Sequence, residues 1–216
     1  DQLVCRIKLK QYNYEGRYTP PSLNGTIVYP GNFGTLNWGS VAVDPERQVM
    51  FAMPVYMAYT STLVPKSTPG VATQGINSNN GADYAVSFST LLGPLGVPCQ
   101  APPWGYVAGA DLTTGEIVWK HKNGTIQDMT PLPLKIKMGV PGIGGPIMTR
   151  GGVAFLGATM DNYIRGYDVT TGEQLWEARL PAGGQATPMT YETADGAQYV
   201  LIVAGGHGSV GTETGD

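Results

Sequence analysis

The chain has 216 residues, with 13 Lys and Arg against 16 Asp and Glu, for a net charge of −3. Such a length supports one large domain or two small ones around a buried core, and the scattered basic residues give no reason to expect a nucleic-acid partner. Charged residues make up only 13%, while Gly and Pro number 31 and 17, a balance that reads as an all-β chain with many tight connections.

The chain opens on Asp1-Gln2-Leu3 without an initiator Met, so its native N-terminus is expected upstream. The residues given do not read as a signal peptide, which says little where the native N-terminus is expected upstream, and no apolar run among them approaches the roughly 18 residues of a membrane span. After a leading segment, residues 37–45 and 47–54 read as two strands. An insertion over 58–103 follows, rich in Ser, Thr, Gly, Pro and Asn and without helical period in "TQGINSNNGADY". A loop of that length in a compact domain is expected to be functional or disordered. Cys5 and Cys99 fit no C-x-x-C pattern; a disulfide and two buried free thiols both remain open.

The first unit resumes near Trp104 and runs to about residue 122. A proline-broken stretch over 129–142 leads to a second unit at 139–180, with strands expected at 144–150, 152–159, 162–169 and 173–179. A third unit, 183–216, begins with 183–191 and 197–206 and is incomplete.

Two stretches repeat: "GADLTTGEIVW" from Gly109 and "GYDVTTGEQLW" from Gly166. In each, alternating strands flank an Asp-x-Thr-Thr-Gly turn. The Asp carboxylate can accept backbone N–H groups of the turn, and Gly115 and Gly172 can take positive φ at its end. Trp119 and Trp176 then fall at a fixed offset on the outgoing strand, where a large flat side chain can pack on the next unit. Asp111, Gly115, Trp119, Asp168, Gly172 and Trp176 therefore read as structural, blade-docking residues. Four-stranded units with outer tryptophans indicate a β-propeller; about three units fall short of the roughly 4–8 blades of a closed one.

The repeat resembles the tryptophan-docking motif of quinoprotein dehydrogenases, eight-bladed propellers that bind pyrroloquinoline quinone (PQQ). "DQLVCRI", "YEGRYTPPS", "NWGSVAVDPERQVMFA", "ATMDNYIRGYD", "LPAGGQATPMTY" and "VAGGHGSVGTETGD" are similar to the C-terminal part of the membrane-bound, PQQ-dependent glucose dehydrogenases. The resemblance covers essentially the whole chain. It implies a partial propeller of about three to four blades, at the periplasmic face of the bacterial inner membrane, with the membrane anchor outside this segment. It also implies oxidation of the C1 hydroxyl of glucose or a related aldose to the lactone, with electrons passing through PQQ to ubiquinone. A Mg²⁺ or Ca²⁺ ion would polarise the quinone. By the same resemblance the catalytic Asp and the metal ligands lie upstream of Asp1, so the isolated segment is expected not to turn over substrate.

Among residues present, His207 in Gly-Gly-His-Gly is the first cofactor candidate: glycines on both sides let a ligand approach, and imidazole can donate to a carboxylate. Asn37 and Trp38, at the head of an expected inner strand, are candidate PQQ neighbours, with core packing as the alternative. Asp161 is a cofactor candidate or an ordinary Asp-Asn turn residue. Met53 stands where the glucose dehydrogenases carry an Asn near PQQ and quinone. Trp104 reads as packing and His121 as a solvated strand-end residue. Asn24-Gly25-Thr26 and Asn123-Gly124-Thr125 match glycosylation acceptors but read first as turns. Two other functions compete: a PQQ-dependent quinate, shikimate or polyol dehydrogenase, and a non-catalytic PQQ-like-repeat scaffold propeller.

Overall fold

The computed structural model describes residues 1–31, 33–71, 77–131 and 133–215. In chain order the elements are helix α1 (Gln2–Leu9) and strands β1 (Thr26–Val28), β2 (Val41–Asp44), β3 (Val49–Ala52), β4 (Tyr59–Pro65), β5 (Tyr84–Thr90), β6 (Tyr106–Asp111), β7 (Ile117–Lys122), β8 (Ile147–Met148), β9 (Val153–Leu156), β10 (Tyr163–Asp168), β11 (Gln174–Arg179), β12 (Met189–Glu192) and β13 (Gln198–Leu201). Among the described residues no helix is long and apolar enough to cross a membrane. The chain divides into two compact units, residues 1–34 with 56–101, and residues 35–55 with 102–216.

In the first unit the described parts of the Ser- and Thr-rich insertion are built into a sheet of order β1-β4-β5; residues 72–76, within which "TQGINSNNGADY" begins, lie outside the described residues. The β4–β5 hairpin pairs from Tyr59↔Thr90 to Pro65↔Tyr84, and β1 from the leading segment adds to β4 as Thr26↔Ser61 through Val28↔Tyr59. β-branched Thr26, Ile27, Thr60 and Thr62 suit such paired strands. Ile27, Ala58 and Leu91 form a small core against which Tyr12 and Cys99 pack. The Gln100 side chain bonds the Ala58 amide and the Tyr56 carbonyl, and Lys8 Nζ donates to the Leu92 carbonyl at 2.8 Å. Cys5 on α1 is disulfide-bonded to Cys99, which decides between the two readings left open by the sequence. Asp1 stands at the N-cap of α1, a residue type suited to that place, but makes no side-chain capping bond.

The second unit holds two four-stranded antiparallel sheets, β2-β3-β6-β7 and β8-β9-β10-β11, and the two-stranded β12–β13. The repeated hairpins fold alike. Asp111 Oδ1 accepts from the Thr113 amide (2.7 Å) and the Thr114 amide (3.3 Å), and Asp168 Oδ1 from the Thr170 and Thr171 amides (2.8 and 2.9 Å). Each turn closes with a glycine amide on the Asp carbonyl at 2.8 Å, Gly115 at φ +77° and Gly172 at φ +73°. Each is followed by a one-residue register shift, which leaves Gly109 opposite Trp119 and Gly166 opposite Trp176.

Trp119 docks on the next sheet's turn. Its indole lies so close over Gly172 that a Cβ there would sit 2.3 Å from Cε3, and its Nε1–H donates to the Val169 carbonyl at 3.1 Å. His121 stacks on Trp119 (centroids 5.7 Å apart) and bonds the Thr171 carbonyl at 3.0 Å, so it is exposed but held. Fully buried Phe51 on β3 packs 5.6 Å from Trp119 and 5.7 Å from Tyr167 on β10, filling the space between the sheets. Arg47, paired to Asp44, donates to the Arg150 carbonyl. Trp104 is buried, as its packing role requires. Trp176 is 50% exposed and meets only the edge of Phe155 among aromatic partners, because no second turn covers it among the described residues.

The disulfide closes a loop of 94 residues. In the chain-entropy account a loop of that size contributes about 4–5 kcal/mol. Reduction, or Cys5→Ser, is therefore expected to expose the 58–101 segment to limited proteolysis while the second unit stays resistant; cleavage patterns on a gel with and without reductant check this.

Candidate functional site

The inner ends of the three strand groups meet through close backbone contacts. Gly39, just before β2, packs on Gly144 and Gly145 ahead of β8: a Cβ on Gly39 would fall 2.3 Å from the Gly144 carbonyl oxygen. Gly144 and Gly145 in turn touch the Gln185 carbonyl and the Thr187 hydroxyl, ahead of β12. The tails of these segments carry the expected cofactor residues.

Asn37 and Trp38 lie in the turn preceding β2, which begins only at Val41. The Asn37 carbonyl accepts the Ser40 amide at 3.2 Å, closing that turn. Trp38 is 83% exposed, so core packing does not account for it. Met53, just after β3, is buried, its methyl against Gly142.

His207 follows β13 and is exposed, at the head of a short 3₁₀ turn over Gly208–Val210. Its Nδ1 accepts the Ser209 amide at 3.2 Å. In the neutral ring the proton is then on Nε2, which makes that nitrogen a donor. The His207 amide donates to Thr212 Oγ1 at 2.9 Å, and Thr212 donates to Gln185 Oε1 at 3.0 Å. Gln185 Nε2 donates to the Thr159 carbonyl at 3.2 Å.

Thr159 connects this line to Asp161, which is fully buried. Asp161 Oδ1 accepts from Thr159 Oγ1 (2.6 Å) and Arg165 Nη1 (3.0 Å). Its Oδ2 accepts from the Thr125 amide (2.7 Å), Thr125 Oγ1 (3.0 Å) and Arg165 Nη2. Arg165 is 2% exposed and also lies 3.4 Å from Glu177, which Lys135 neutralises. Burial by itself would raise the Asp161 carboxyl, but the guanidinium of Arg165, with Thr159 and Thr125, outweighs it and holds the group below the usual Asp range. Both carboxylate oxygens thus face inward partners, and Asp161 joins the loop after β7 to the β9–β10 connection. In the same loop Asn123 is buried with Oδ1 accepting the Tyr167 hydroxyl at 2.6 Å, so its acceptor triplet is closed to modification.

Gln185, Thr212, Thr159 and Arg165 carry no sequence motif of their own. The usable signal was the Gln and Thr flanked by glycines in "AGGQATP" and "GSVGTETG", where small neighbours leave room for a side-chain bond. Two grooves, lined by His121, Lys122, Lys137, Tyr167 and Gln174, and by Thr125, Lys135, Lys137, Arg165 and Glu177, contain none of the four expected cofactor residues. Among the described residues no group of His, Cys, Asp and Glu could hold a metal ion.

Residues 1–200 match the family described as glucose/ethanol/alcohol dehydrogenase, β-propeller domain (PQQ). The chain belongs to this family. It is 54% identical to quinoprotein glucose dehydrogenase A of Acinetobacter calcoaceticus and 49% identical to quinoprotein glucose dehydrogenase of Escherichia coli, over its whole length but only 28% and 29% of theirs. A probable quinate dehydrogenase (quinone) of Xanthomonas campestris pv. juglandis is 40% identical over 95% of the chain and 28% of that protein. Among solved structures, a europium-containing methanol dehydrogenase superposes with a TM-score of 0.56 at 24% identity, covering 82% of this chain and 26% of that one. This last likeness concerns the fold, which is that of a quinoprotein propeller, present here in part.

Asp161→Asn removes the bidentate carboxylate partner of the buried Arg165 and leaves it only Glu177, which is shared with Lys135, a change expected to cost about 3–5 kcal/mol of stability. Because the folded-state carboxyl is depressed, its stabilisation is present above the ordinary Asp range and is lost as pH falls through the folded value. Denaturant midpoints measured from neutral to acid pH are expected to fall for the native chain and to fall less steeply for Asp161→Asn.

Proposed function

We propose that the full-length protein is a quinoprotein dehydrogenase that oxidises the C1 hydroxyl of glucose or a related aldose to the lactone. Ubiquinone takes the electrons at the periplasmic face of the inner membrane. The observation that carries this reading is identity over the whole chain with quinoprotein glucose dehydrogenases at 54%, 49% and 46%. Quinate dehydrogenases follow at 40% and 38%.

The residues present fit one edge of a planar, polycarboxylate cofactor. His207 offers a ring donor on an exposed loop, and the adjoining Gly208 has open space where a Cβ would be. Trp38 offers an uncovered indole face and Asn37 an exposed amide. PQQ, when bound, supplies the two-electron acceptor, and a divalent cation held by residues upstream of Asp1 supplies Lewis-acid polarisation. His207 would hold a carboxylate of the bound cofactor through Nε2–H, a charge-assisted bond. Trp38 and Asn37 border the same ligand. Asp161 acts from the interior, through Arg165 and Thr159, on the loops that carry these groups. Trp176 docks on the matching turn of the following unit.

The test is PQQ-dependent dye reduction by the full-length protein with glucose and, separately, with quinate. Turnover with glucose is expected. Turnover with quinate alone moves the assignment to the polyol enzymes, and none with either favours a scaffold. His207→Ala is expected to raise the PQQ concentration for half-reconstitution about 10–100-fold, the loss of one charge-assisted bond.

A further inference from the structure

We propose that Thr212 and Gln185 are positioning residues for His207: together they set the backbone from which the imidazole reaches the cofactor. This rests on the placement of His207 at PQQ argued above.

The loop around His207 has little else to hold it. Gly205, His207, Gly208, Ser209 and Gly211 are exposed, and Val210 is its buried apolar side chain. Two backbone bonds tie its base, from the Gly206 amide to the Gly183 carbonyl at 2.8 Å and from the Gly183 amide to the Glu213 carbonyl at 3.2 Å. Neither involves His207. Its own amide is taken by Thr212 Oγ1, which has a single proton to give and gives it to Gln185 Oε1.

That direction fixes the Gln185 amide. With Oε1 accepting, Nε2 is the donor, and it reaches the Thr159 carbonyl. The hydroxyl of the same Thr159 is bound to Asp161 and Arg165. A line of hydrogen bonds therefore runs from the His207 backbone through Thr159 to a buried ion pair. The first glycine of "GGQATP" belongs to this arrangement. A Cβ on Gly183 would sit 2.4 Å from Gln185 Oε1 and 2.5 Å from Thr212 Oγ1, so any side chain there would part the pair. The ring is oriented separately, by the Ser209 amide on Nδ1. Thr212 and Gln185 thus govern where His207 stands, and Ser209 how its ring turns.

The experiment uses the full-length apoprotein titrated with PQQ, binding being followed by tryptophan fluorescence and not by turnover. Thr212→Val and Gln185→Leu are each expected to weaken PQQ about five- to tenfold, the worth of one hydrogen bond. Thr212→Ser, which keeps the hydroxyl, restores native affinity. In a His207→Ala background, Thr212→Val adds no further loss, since the effect travels through His207. An equal loss from Thr212→Val with and without His207, or a Thr212→Ser variant as weak as Thr212→Val, overturns the proposal. If His207→Ala alone leaves PQQ affinity unchanged, the placement of His207 at the cofactor fails, and the positioning role with it.

Discussion

The contact that sets the two four-stranded sheets of the second unit against each other is the indole of Trp119 seated on the turn that ends at Gly172. The turn can receive it only because Gly172 has no Cβ and sits at φ +73°. The indole nitrogen then has one accessible acceptor, the Val169 carbonyl, so the contact is both apolar and directional. Burying an indole beside Phe51 and Tyr167 replaces water contacts with aromatic packing. The two sheets are held at the spacing that lets Asp161 reach across to Thr125.

From that spacing the candidate site follows. Once the outer hairpin of one sheet rests on the turn of the next, the inner ends are forced together. Only glycines fit where Gly39 meets Gly144 and Gly145. The loops beyond these contacts carry Trp38 and His207 into solvent, while their supports run inward to Arg165 and Asp161. A buried carboxylate is costly unless its oxygens are paired. Asp161 meets that condition with both carboxylate oxygens engaged.

The parts legible in the sequence were those encoded within a dozen residues. The Asp-x-Thr-Thr-Gly turn, the alternating strands beside it and the Trp at fixed offset appear at the expected places, because turn chemistry and strand period are local. What stayed hidden depends on residues far apart. Cys5 and Cys99 meet only once β1 pairs with β4 and the insertion folds back, so neither spacing nor composition could decide their state. The insertion looked structureless because its strands are Ser- and Thr-rich and find their partner in the leading segment. Asp161 sits in an ordinary-looking Asp-Asn turn, and its partners Thr125 and Arg165 come from a different hairpin and from the next strand. His207 was legible as a candidate because glycines surround it, whereas Thr212 and Gln185, which hold its backbone, look like any polar loop residues.

The seating of Trp119 on Gly172 is tested most directly by a double-mutant cycle in denaturant unfolding: Trp119→Ala, Gly172→Ala and the pair. Gly172→Ala carries two costs in the native background, a positive-φ strain and a clash with the indole, and only the first survives in the Trp119→Ala background. A coupling of about 1 kcal/mol or more between the two positions is expected. Strictly additive losses would mean that Trp119 and Gly172 do not touch in the folded protein, and the docking contact would have to be abandoned.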